Sequence, residues 1–129
     1  MNAHIAKHEN EKKAQEKAKI YSSEVDALEV KAKEVLIKDV AYKKAKIQGE
    51  KEVALAGNLG RDSASTIDVQ VRDGYLNSHG DFKGDVSLRS LKGQLWQGGT
   101  FAAGSTVHME AFSTIGLGGK GEPAQLNVR

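Results

Sequence analysis

The chain has no cysteine, a single proline and few aromatic residues, and each shortage narrows the chemistry open to it. Without cysteine, neither a disulfide framework nor a thiolate metal site can form. The one proline, Pro123, lies near the end, so no proline interrupts a regular element upstream of it. No stretch approaches the roughly 18 apolar residues of a membrane span. The opening MNAHIAKHENEKKAQEK has no apolar core behind its charges, so no secretory signal is expected. Two further shortages are local. Residues 1–57 hold 12 Lys and 10 Asp or Glu but no Arg and only two Gly, whereas residues 58–129 hold the other 12 Gly and all four Arg. The formal charge is +2, and neither half carries a strong field of one sign. Neither nucleic acid nor a membrane surface is therefore expected as a partner.

The first half reads as a long polar helix. From about Lys7 to Ala56 the chain is rich in Ala, Lys, Glu, Leu and Gln. Glu29 with Lys33, Glu34 with Lys38, and Asp39 with Lys43 stand in the favourable acid-to-base i,i+4 order. Val25, Leu28, Ala32, Leu36, Val40 and Ile47 follow a helical period, with Val30, Ile37 and Ala41 as a narrower stripe beside them. The glycines of 57-GNLG-60 supply a helix stop. Such a helix would be roughly 75 Å long, more than a domain built from residues 58–129 could cover. The six-residue stripe is thus expected to face another chain, or a second helix after a break near Ser22–Ser23. Asp39 and Lys43 interrupt a strict heptad, which favours a loose bundle or docking over a regular zipper.

The second half changes period. Ile67, Val69 and Val71 alternate with Asp68, Gln70 and Arg72, and Val86/Leu88 and Val107/Met109 repeat the pattern. Laid over each other without a gap, 74-GYLNSHGDFKGDV-86 and 93-GQLWQGGTFAAGS-105 match Gly74 to Gly93, Leu76 to Leu95, Gly80 to Gly99 and Phe82 to Phe101. The spacing predicts units at 67–85, 86–106 and, in part, 107–119, a repeat of roughly 19–21 residues. That suits rungs of a β-solenoid or hairpins of an antiparallel sandwich. The fold expected is α+β: a helical stalk over residues 1–57 and a Gly-punctuated β domain over 58–129.

Residues that could carry chemistry are sparse. His4 and His8 have i,i+4 metal-ligand spacing but lack the glutamate of HExxH. The run 116-GLGGKG-121 fits G-x-G-x-x-G, yet Pro123 follows at once and too few residues remain for a βαβ unit. Ser78, His79 and Asp81 are close in sequence, as are Ser105 and His108, without the spacing of an activated nucleophile. No catalytic, cofactor or metal residue is assigned, and the chain is expected not to be an enzyme. Phe82 and Phe101 share one repeat position and are assigned to the core. Trp96 stands where the preceding unit has Asn77, and is expected either to pack in the core or to stand exposed as a contact for a partner chain or a glycan.

A polar stalk joined to a repetitive glycine-rich β module resembles the architecture of bacteriophage virion components: fibres, decoration proteins and adaptors. The segments 80-GDFKGDVSL-88 and 99-GTFAAGSTVHM-109 are also similar to rungs of bactofilins and of filamentous haemagglutinin-type β-helices, though the helix of residues 7–56 is foreign to both. The resemblance implies a non-enzymatic structural protein located in the virion, with itself and other virion proteins as partners and no cofactor. The alternatives are a cytoplasmic, polymer-forming scaffold and a module that binds a host glycan or receptor.

Overall fold

A computed structural model describes residues 15–117 and 125–128. It contains eight strands: β1 (Gln15–Leu59), β2 (Thr66–Val71), β3 (Tyr75–Phe82), β4 (Asp85–Ser90), β5 (Leu95–Gln97), β6 (Thr106–Ala111), β7 (Ile115–Leu117) and β8 (Gln125–Val128). Each pairing between these strands is parallel. The order β7-β5-β3-β1-β2-β4-β6-β8 places even strands on one side of β1 and odd strands on the other. The result is a parallel β-solenoid around one core, and the antiparallel sandwich is excluded.

The long helix is not formed. Residues 15–56 lie within β1, residues 7–14 lie outside the described part, and there is no helix among the described residues. An extended strand of this length would reach roughly 150 Å, so β1 must fold back on itself. Positive φ at Ser22 (47°), Asp39 (54°) and Gly57 (72°) marks its corners, which follow one another at nearly equal steps along the chain. Between corners the burial alternates: Ala18 and Ile20, then Leu28, Val30 and Ala32, then Val35 and Ile37, then Ala45 and Ile47, then Val53 and Leu55 all point inward. Side chains two apart share a face of a strand but lie on opposing sides of a helix. Only the strand buries all of these apolar residues together, and that decides the conformation.

The charges follow the coil spacing as well. Lys33 pairs with Glu16 at 3.0 Å and Lys17 with Glu34 at 3.6 Å, partners that stand one coil apart in the chain and not one helical turn. Hydrogen bonding to Glu16 and its charge raise the Lys33 pKa. The Asp39 carboxylate does not meet a helical lysine but accepts the backbone N–H of Asn58 at 2.9 Å, one coil on.

From β2 onward the register is the one expected from the repeat. Ile67 pairs with Val86 and Val86 with Val107, while Leu76 pairs with Leu95 and Phe82 bridges to Phe101. The rings of Phe82 and Phe101 stack with centroids 5.8 Å apart and planes 16° from parallel, both buried. Gly84, at φ +88°, turns one of the coil corners here, with the Ser65 carbonyl oxygen where a side chain would begin. Because β2 and β3 both pair with β1, described residues on either side of Gly57 share one sheet and one hydrophobic core.

Candidate functional site

Most of the stripe expected to face another chain is turned inward. Leu28, Ala32, Val40 and Ile47 belong to the solenoid's own core, and Val25 packs partly buried against it. The cover these five require comes from neighbouring coils of the same molecule, whereas Leu36, between inward Val35 and Ile37, is half-buried on the outer face.

The polar residues near the repeat do not converge. Ser78 is buried, its hydroxyl oxygen accepting the N–H of Gly80 at 3.2 Å, while its neighbour His79 projects from the opposite, outer face. Asp81 accepts both the N–H and the hydroxyl of Thr100, at 3.0 and 2.8 Å, and so secures a corner. The Ser105 hydroxyl donates to the Ala102 carbonyl at 2.8 Å, and His108 Nε2 lies 3.3 Å from Glu110 Oε1. Among the described residues, no group of three or more His, Asp or Glu is arranged to hold a metal ion. His4, His8 and residues 118–121 of the glycine run lie outside the described part, while Gly116 and Leu117 belong to β7.

Two outward features stand out. The first is the outer surface of the odd-strand face, where Ala54, Asn77, Trp96 and Gly116 form one column across β1, β3, β5 and β7. Ala56 and His79 stand in the next outward column, and the Gly98 N–H donates to the Ser78 carbonyl beside it at 2.7 Å. The small residues leave a shelf on which the indole lies. A methyl group at Gly116 would come 2.5 Å from Trp96 Cε3, and one at Gly98 would come 2.9 Å from both Trp96 Nε1 and His79 Nδ1. One edge of the ring thus rests on each glycine, yet the residue is 40% exposed. Tyr75, two positions before Asn77, is also exposed, and the negative charge of nearby Glu52 raises its pKa.

The second feature is a corner. Leu91 and Phe112 follow directly on Ser90 and Ala111, which pair in register, and they are 39% and 76% exposed. Their backbone N–H groups donate to Val71 and Ser90, so an ordered backbone holds both side chains outside. Beside this corner, Asp73 has its pKa lowered by a hydrogen bond from Arg72, with Lys92 adding to the effect. The equivalence of Asn77 and Trp96 could be read from the repeat. The role of Gly98 and Gly116 in seating the ring, and the exposure of Leu91 and Phe112, required the register of the coils.

Compared with known proteins, the chain matches no family model, no curated protein and no solved structure.

Proposed function

We propose that this chain is a non-enzymatic structural subunit of a larger assembly, of the kind found in bacteriophage virions as a fibre, decoration or adaptor protein. Its partners in this reading are copies of itself and other virion proteins. The observation that carries it is the apolar corner of Leu91 and Phe112 on a rigid parallel solenoid. A phenylalanine 76% exposed on ordered backbone favours burial in an interface, since fully burying such a side chain contributes about 1.5–3 kcal/mol. The solenoid itself supports a mechanical role. Its backbone hydrogen bonds run between coils, so load along the axis is shared by many parallel pairings.

A second reading, a scaffold that polymerises by stacking coils end to end, draws support from the parallel pairing throughout and from the likeness of residues 80–109 to bactofilin-type rungs. One set of measurements tests both. Sedimentation velocity of the full chain should give a defined oligomer, and Leu91→Glu/Phe112→Glu should give a monomer with an unchanged circular dichroism spectrum. Filaments under negative stain would favour the scaffold instead. A wild-type chain that stays a compact monomer at every concentration would count against both.

A further inference from the structure

We propose that the outer face around Trp96 is a binding site for neutral carbohydrate. This face is separate from the Leu91 and Phe112 corner. The indole lies against Gly98 and Gly116, whose missing side chains leave the space it occupies. A ring seated on the sheet has less freedom to lose on binding than one free in solvent. The electron-rich face of an indole attracts groups carrying partial positive charge. The axial C–H groups on one side of a pyranose ring are such groups, in a flat array of matching size.

The flanking groups suit the hydroxyls of the same sugar. Asn77 is the in-register neighbour of Trp96, about 4.8 Å away across the sheet. His79 Nδ1 lies close enough to the indole to bracket the same added atom at Gly98. Among the described residues, neither the Asn77 amide nor the His79 ring makes a hydrogen bond or ion pair with the protein. An amide supplies both donors and an acceptor, and an imidazole ring adds nitrogens that can hydrogen-bond, as a polyhydroxyl ligand requires. The columns Ala54–Asn77–Trp96–Gly116 and Ala56–His79 contain no Asp, Glu, Lys or Arg, which points to an uncharged sugar over a uronate or sulfated glycan.

A protein partner fits this shelf less well. A specific protein interface needs on the order of 800 Å² from each side with an apolar centre. Here a single indole is bordered by an amide, an imidazole and glycine backbone. Tyr75 stands next along the strand but is paired in register with Glu52, so the uncharged part of the face is the area around Trp96, Asn77 and His79.

The chain contains one tryptophan, so its fluorescence reports on this site directly. The full chain would be applied to an array of neutral and charged glycans, and neutral hits titrated while following indole emission. A saturable shift with at least one neutral oligosaccharide is expected. In affinity gels containing that glycan, Trp96→Ala should lose retardation, and Gly116→Ala, which displaces the ring, should weaken it by at least about tenfold. Both variants should keep the wild-type circular dichroism spectrum, and Trp96→Tyr should restore part of the binding. The proposal is overturned if only charged glycans bind, if no neutral glycan shifts the emission, or if Trp96→Ala binds as wild type. It also fails if emission changes with protein concentration alone and sedimentation traces the change to a dimer through this face.

Discussion

Coils built from residues 15–59 and coils built from residues 66–117 enclose the same interior and present different exteriors. The first set has the shorter coil, turns at Ser22 and Asp39 without glycine, and carries Lys–Glu pairs one coil apart. The second set takes longer steps, from Ile67 to Val86 and from Val86 to Val107, and turns at Gly84 and Gly104. It stacks Phe82 on Phe101 inside and exposes Tyr75, Leu91, Trp96 and Phe112 outside. The inward alternation is what the two sets share, and it specifies the fold. The outward residues are free to differ, and they give the first coils a charged coat and the later coils their candidate contact surfaces.

The largest test of that comparison places a charge in the shared interior. Ile47 is fully buried in β1 beside Val69 of β2, so Ile47→Asp should cost at least about 4 kcal/mol. Because β2 and β3 both pair with β1, the later coils should lose protection together with the first ones. Hydrogen exchange followed by mass spectrometry reads this out. Retained protection of residues 66–117 in the variant would show two separable units.

The corners offer a smaller effect of opposite sign in the two sets. Gly84→Ala introduces a side chain at φ +88° against the Ser65 carbonyl, and should destabilise by about 2 kcal/mol. Ser22→Gly relieves a non-glycine residue at φ 47°, and should stabilise by about 0.5 kcal/mol. Urea midpoints of the two variants would decide whether both kinds of corner obey the same backbone rule.

The smallest effect concerns a buried phenol of the first coils. The Tyr42 hydroxyl is buried with no hydrogen-bond partner, so Tyr42→Phe should stabilise by about 1 kcal/mol at neutral pH. Burial raises the Tyr42 pKa above its ordinary 10.0. The wild-type contribution from a neutral phenol is therefore present below pH 10.0 and lost as pH rises through the folded-state value. Melting temperatures across that range should fall for the wild type and fall less for the variant.

The repeat in the second half was legible because glycine and phenylalanine recur at a constant step, and the structure stacks those same residues. The first half misled for a definite reason. Its coil, the step from Ser22 to Asp39 and on to Gly57, is close in length to a whole number of helical turns. A residue and its equivalent one coil later therefore share a helical face, and the stacked core of a solenoid imitates an amphipathic stripe. Lysine and glutamate on the outer face added helix propensity. The i,i+2 spacing of Leu28, Val30 and Ala32, or of Val35 and Ile37, was the contrary signal. Ser22, near the break that a second helix would have needed, is a solenoid corner. At the candidate carbohydrate site, the sequence singled out Trp96 but not its glycine seat, since Gly98 and Gly116 meet the ring only once β5 and β7 pair.

By itself the sequence determined the alternation that fills the interior, the period of the later coils, the glycines at their corners and the absence of cysteine chemistry. All of these are written in residue type and local spacing. Tertiary structure decided that the first half is strand, because intrinsic helix preference amounts to tenths of a kilocalorie per residue. Covering Ala18, Ile20, Leu28, Val30, Val35 and Ile37 at once outweighs it, and only neighbouring coils supply that cover. Tertiary structure also decided which aromatic residues point outward, because a side chain's face depends on the register of its strand and not on its identity.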